Sequence, residues 1–177
     1  MWKTRPGVLS KVSGLFARRG FNIDSLAVGV TENAAISRMT IVVNGDEYIV
    51  EQVEKQLNKV IPVIKVKVLQ PGAFISGELA LIKVSCSPKQ RVEIVNIADL
   101  MNARIVDVTP TSLTLQSADT AERTATLIDL LHPYGIKEIC RTGTNRAGKG
   151  SRPHKKKLNS GLNPGKGEQP ENAILTS

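Results

Sequence analysis

Aromatic side chains are scarce in this chain. Trp2, Phe16, Phe21, Tyr48, Phe74 and Tyr134 are all there are, 3% of 177 residues. Stacking surfaces for exposed bases are therefore few. There are only two histidines, His132 and His154, and two cysteines, Cys86 and Cys140. Neither cysteine belongs to a CxxC or Cys/His spacing, which argues against a structural zinc site and a disulfide framework. Both read as buried thiols on strands in a reducing compartment. No apolar run approaches the roughly 20 residues of a membrane span. The opening MWKTRPGVLS carries no signal-peptide or transit pattern, so the cytoplasm, or a plastid stroma, is the expected location. HxxxH, DxD and GxSxG motifs are absent. No catalytic residues and no metal ligands can be assembled, and His132 reads as a helix-end residue facing the dipole.

What is present divides unevenly. Lysine and arginine number 24 and acidic residues 16, for a net charge of +8. From Thr142 onward there are seven basic and two acidic residues, leaving only +3 for residues 1–141. The tail from Gly143 is rich in Gly, Pro, Asn and Lys and poor in apolar residues. It reads as a disordered, solubilising segment over 143–177. Its Lys155–Lys157 run lacks aromatic neighbours, so a solvated tail is favoured over a nucleic-acid contact.

A second break falls at Gln70-Pro71-Gly72, giving a first domain over 1–70 and a second over 71–142. In the first, Val8, Val12, Leu15 and Phe16 recur at helical spacing, and Gly20 is the stop. FNIDSLAVGV and ISRMTIVV read as strands. Asp46 is placed to cap a second helix bearing Ile49, Val50, Val53 and Leu57, and VIPVIKVKVL alternates as a closing strand. In the second, LALIKVSC is a strand and Pro88–Asn102 a helix with Val92, Val95, Ile97 and Leu100 inward. Strands over 104–108 and 112–116, a helix over 120–132 and a strand over 134–141 follow. This is β-α-β-β-α-β, the ferredoxin-like plan, in an α+β protein. The first domain shows the same order with its first strand largely missing.

Two short segments have binding chemistry. In Thr4-Arg5-Pro6-Gly7-Val8-Leu9, Pro6 fixes φ and Gly7 lets a partner approach backbone N–H groups at a helix N-terminus, a setting suited to a carboxylate. The same dipeptide is also an ordinary helix start. In Gly20-Phe21-Asn22-Ile23, the Asn22 amide offers a donor and an acceptor, although asparagine after glycine is common turn chemistry.

Taken together, RPGVLSKVSGLFARRGFNIDSLAVG, SRMTIVVNGDE, EQVEKQLNKVIPVIKV, ELALIKV, ARIVDVTPTSLTLQ and GIKEICRTG resemble the small regulatory subunits of acetolactate synthase. The resemblance covers residues 5 to about 143. It implies two ACT-type domains and a chain that is regulatory and not itself an enzyme. The implied partners are a catalytic subunit and a second copy of the chain. The catalytic subunit would hold thiamine diphosphate, FAD and magnesium, with no cofactor in this chain. The implied function, in branched-chain amino acid biosynthesis, is activation of that subunit and feedback inhibition by valine bound between ACT domains. Gly7 and Asn22 match the family's effector positions, with Pro6, Val8, Leu9 and Ile23 as secondary candidates.

The family also carries a full strand before the Pro-Gly turn, where this sequence has Met-Trp-Lys-Thr-Arg. That strand is central in the sheet, so its loss would leave two neighbours without ladder partners. Either the start is assigned too far downstream, which is the favoured explanation, or the chain is truly shortened and the first sheet incomplete. Two other readings are a basic-tailed ferredoxin-like module for nucleic acid and an ACT sensor serving another amino-acid enzyme.

Overall fold

The computed structural model describes residues 1–3, 7–61, 63–70, 72–149 and 173–176. Its contacts form two compact units, residues 1–75 with 147–177, and residues 76–146. In chain order the elements are β1 (Trp2–Lys3), α1 (Val8–Arg19), β2 (Ser25–Val30), β3 (Ile36–Val43), α2 (Glu47–Asn58), β4 (Lys67–Leu69) and β5 (Phe74–Ser85). They continue as α3 (Arg91–Leu100), β6 (Arg104–Val108), β7 (Ser112–Asp119), α4 (Ala121–Leu131), β8 (Ile136–Arg141), β9 (Asn145–Gly148) and β10 (Ala173–Thr176). A 3-10 turn at His132–Tyr134 follows α4.

The second unit has the expected plan. Its strand order is β6-β7-β5-β8, all antiparallel, with β9 also on β5. The inward residues of β5 and β7 (Ala80, Ile82, Val84, Leu113, Leu115) meet Ile94 and Ala98 of α3 and Leu127 and Leu131 of α4 in one core. Alternation along β5 and β7 places these side chains on the helix-covered face. Thr120 caps α4, its hydroxyl accepting from the Arg123 N–H.

Two expectations for this unit are corrected. The inward face of α3 is Ile94, Ile97, Ala98 and Met101, while Val92 and Leu100 are 66% and 73% exposed. Positions 94, 97, 98 and 101 form the i, i+3, i+4, i+7 stripe. A set built on 92, 95, 97 and 100 spreads over a wider arc. Cys86 is buried as expected, but Cys140 is exposed. It lies on β8, an outer strand of the sheet whose residues from Lys137 to Arg141 are all exposed.

In the first unit α1 and α2 cover β3. Val8, Val12, Leu15 and Phe16 of α1, Val53 and Leu57 of α2, and Met39, Ile41 and Val43 of β3 share a core with Val66. Asp46 caps α2, with its Oδ1 accepting from the Ile49 N–H at 2.8 Å. The closing strand is shorter than the alternation of VIPVIKVKVL suggests, covering only Lys67–Leu69. Pro62 lies outside the described residues.

The centre of this sheet is occupied. β3 pairs with β2 on one side, and on the other with β10 and β1. β10 also pairs with β4, so it lies between β3 and β4, antiparallel to both. The order β2-β3-β10-β4 repeats β6-β7-β5-β8 of the second unit. Within the tail, therefore, residues 145–148 and 173–176 form strands, in contrast to the disorder expected from 143 onward. The composition argument averaged over the tail, whereas Ala173-Ile174-Leu175 is its one consecutive apolar run. Lys155–Lys157 lie outside the described residues. The Met1 amino group donates to the Lys65 carbonyl. Burial, and next the Arg38 guanidinium, hold its pKa down to about 6.

A paired charge closes one end of the second sheet. The Glu78 carboxylate is 5% exposed and accepts from Nε and Nη2 of Arg141 at 2.9 and 2.5 Å. Removing the guanidinium strands a buried carboxylate. Arg141→Ala should lower unfolding stability by about 3 kcal/mol, and Arg141→Lys by less, because one charged donor remains. Urea midpoints with unchanged slope would check this.

Candidate functional site

The two flanks of α1 hold the residues singled out in the sequence. At its start Gly7 adopts φ 81°, ψ 1°, the left-handed region, as the N-cap. Lys11 N–H donates to the Gly7 carbonyl at 3.1 Å, which opens the helix. Gly7 has no capping side chain, and the first turn contains no acidic residue. The helix thus begins without a side-chain cap from Gly7, with its first N–H groups at the positive end of its dipole. A Cβ built on Gly7 would meet nothing within 4 Å. The position is open to an approaching carboxylate, and the constraint on its side chain is conformational, not steric.

The end of α1 leads directly to Asn22. Gly20, at φ 68°, donates to the Ala17 carbonyl, and Phe21 N–H donates to the Phe16 carbonyl, closing the helix with a left-handed cap. The rings of Phe16 and Phe21 meet edge to face at 6.1 Å. Asn22 is exposed, and its Nδ2 donates to Asp24 Oδ1 at 2.6 Å. Asp24 N–H in turn donates to the Val42 carbonyl, anchoring the segment to the sheet. An amide carbonyl beside a carboxylate suits an ammonium group. Asp24 is the residue that sequence reasoning missed. The Asn-x-Asp spacing just before a strand start was the available signal.

The remaining candidates separate. Val8 is 3% exposed and its side chain belongs to the core, so only its backbone faces the turn. Leu9 is 45% exposed on the first turn of α1. Ile23 is half-buried against the core. Pro6 lies outside the described residues.

Distance is the decisive feature. Gly7 and Asn22 stand at opposite ends of a 12-residue helix, which spans about 18 Å at 1.5 Å per residue. A single amino acid is far smaller than that, so within one chain the two positions do not share a ligand. The second unit also lacks the glycine turn. There Gln90 is the N-cap in a right-handed conformation, and Ser87 Oγ donates to Gln90 Oε1. Arg91 Nη2 donates to the carbonyls of Thr109 and Pro110.

Comparison with known proteins places this arrangement. Residues 2–65 match the family model for the AHAS small subunit-like ACT domain, and residues 77–145 that for the small subunit of acetolactate synthase. The chain belongs to the acetolactate synthase small-subunit family. A probable acetolactate synthase small subunit of Archaeoglobus fulgidus is 50% identical over 141 residues, covering 80% of this chain and 88% of its own. The acetolactate synthase small subunit of Mycolicibacterium smegmatis is 47% identical over 148 residues, with coverages of 84% and 87%. The crystal structure of the acetolactate synthase small subunit from Thermotoga maritima superposes with a TM-score of 0.80 at 35% identity. It covers 85% of this chain and 94% of that one. Among the described residues no helix is long and apolar enough to cross a membrane.

The left-handed backbone at Gly7 gives a direct test of local structure. Gly7→Asn should be nearly neutral, since asparagine tolerates this region, whereas Gly7→Val should cost about 1–2 kcal/mol. Thermal unfolding of the two variants checks the difference.

Proposed function

We propose that this chain is the regulatory subunit of acetolactate synthase in branched-chain amino acid biosynthesis. In this reading it activates the catalytic subunit and transmits feedback inhibition by valine held between the ACT domains of two chains. One observation carries the reading: the carboxylate-type and ammonium-type positions lie at opposite ends of α1. An amino acid that uses both must take Gly7 from one chain and Asn22 from another. Valine's carboxylate would then meet the uncapped N-terminus of α1, and its ammonium the Asn22–Asp24 pair. Leu9 and Ile23 supply aliphatic surface for a branched side chain.

The edge of the first sheet supports a pairing of two copies. Among the described strands β2 pairs with β3 alone, and its Val28 and Val30 are 50% and 67% exposed. An apolar edge strand is a template for the same strand of another copy. Asn22 precedes this strand by three residues, so pairing there would bring the Asn22 segment of each chain to the interface. Valine would favour one arrangement of the pair and so bias the docked catalytic subunit, a coupling between two distinct sites.

The test is reconstitution with the cognate catalytic subunit, supplied with its cofactors. Acetolactate formation would be followed with and without this chain, each with and without valine. Activation together with valine sensitivity is the expected outcome. Absence of activation would refute the regulatory role, and activation insensitive to valine would refute the effector. Within that assay, Gly7→Asp should raise the valine concentration for half-inhibition about tenfold to a hundredfold by placing a carboxylate at the ligand's own. Activation should be retained, and the neutral Gly7→Asn separates charge from shape. Asn22→His should shift inhibition in the same direction, less strongly.

A further inference from the structure

The first unit has its sheet centre made from a segment more than 100 residues away in sequence, and the registers show how. Against β3, Ala173, Ile174, Leu175 and Thr176 stand opposite Val43, Val42, Ile41 and Thr40. Trp2 and Lys3 stand opposite Ser37 and Ile36. Both stretches run antiparallel to β3, on the side away from β2, because Val42 and Ser37 also pair with Ser25 and Val30. Only Met39 and Arg38 separate the two registers.

The other flank gives the same alignment. Ile174, Leu175 and Thr176 oppose Leu69, Val68 and Lys67 of β4. Two positions further along the same ladder, Met1 exchanges both backbone hydrogen bonds with Lys65. Its amino group donates to the Lys65 carbonyl at 2.9 Å, and Lys65 N–H donates to its carbonyl at 3.2 Å. On β3 the two positions skipped match the two residues, Ser177 and Met1, needed to run from Thr176 to Trp2, and on the other flank the one position skipped, between Lys67 and Lys65, matches the one residue needed to run from Thr176 to Met1. On both flanks, β10 and the residues from Met1 therefore follow one register, as if a single strand.

We infer that Ala173–Thr176 is this chain's own donor strand, which with residues 1–3 builds the central strand of the first unit from two stretches far apart in the sequence. β10 takes the place that β5 holds in the second unit, where one continuous strand lies between β7 and β8. Its composition fits the slot: Ile and Leu are followed by Thr, in an apolar β-prone run. The ladder edges it covers belong to β3, whose Thr40–Val43 are all buried.

The strand is supplied in cis. Lys149 is fixed by its N–H donating to the Ala73 carbonyl, and 23 residues connect it to Ala173. A connection of that length is long enough for the same chain to supply the strand. The inference holds whatever the first unit binds.

Disulfide trapping in the full-length chain tests it. In a background with Cys86→Ala and Cys140→Ser, Thr176→Cys is combined with Thr40→Cys in one variant and with Lys67→Cys in another. Directly opposed positions are close enough to bridge. After oxidation, intact mass and peptide mapping should show an intramolecular bond in both variants and none with Val30→Cys on β2. A bond to only one flank would overturn the central placement. Bonds only between chains would mean that the strand is donated to a second copy, and no bond at all would overturn the assignment.

Hydrogen exchange supplies a second reading. Leu175→Pro in the full-length chain should speed amide exchange across 40–43 and 67–69 by roughly tenfold or more, while β5 and β7 are unaffected. Moving residues 173–177 to directly before Met1, with Leu175 intact, should keep the protection of the original chain. Unchanged exchange in Leu175→Pro, or lost protection in the transposed chain, would overturn the inference.

Discussion

The ladder along β3 is the constraint on which the first unit depends. Residues 37–42 of this strand pair with β2 on one side, and residues 40–43 and 36–37 pair with β10 and β1 on the other. Five of the last six face no solvent to speak of from Met39 to Val43, so the backbone groups there have only other strands to satisfy them. Met39, Ile41 and Val43 then form the floor on which α1 and α2 lie. Once that floor is set, the ends of α1 are set as well, and so are Gly7 and Asn22. The candidate site is a consequence of the sheet pairing beneath it.

The two units use one plan with different local chemistry. The helix starts differ most. α2 and α4 are capped by Asp46 and Thr120, whose oxygens accept from N–H groups of the first turn. α1 begins at a glycine with no such oxygen. A helix start without that oxygen leaves donors for something else to satisfy, and an amino-acid carboxylate has the right charge and size. In the second unit the corresponding turn is hydrogen-bonded by its own side chains, with Ser87 on Gln90 and Arg91 on the carbonyls that follow β6.

Much of the fold was legible because its signals are local. The apolar stripe Val8, Val12, Leu15, Phe16 is the buried face of α1, and Asp46 is the cap of α2. The α3 face was misplaced because that helix carries apolar residues on more than one side, and periodicity alone does not say which side meets the sheet. Cys140 was misplaced because thiol burial is a tendency of the residue, while β8 is an outer strand whose outward face is in water. For the site, Gly7 and Asn22 were legible as residue types. Asp24 was not, because its bond to Asn22 depends on the turn that follows Gly20.

By itself the sequence determined the family, the α+β order of elements and the residue types at both ends of α1, since each rests on neighbours within a few turns or strands. It also set Gly7 and Asn22 a helix length apart, because the apolar stripe and the Gly20 stop bound α1 locally. The tertiary structure alone gave the gap in the first sheet to Ala173–Thr176. Strand pairing joins residues without regard to their distance along the chain, and no local pattern marks a short apolar run in a polar tail as the middle of a sheet.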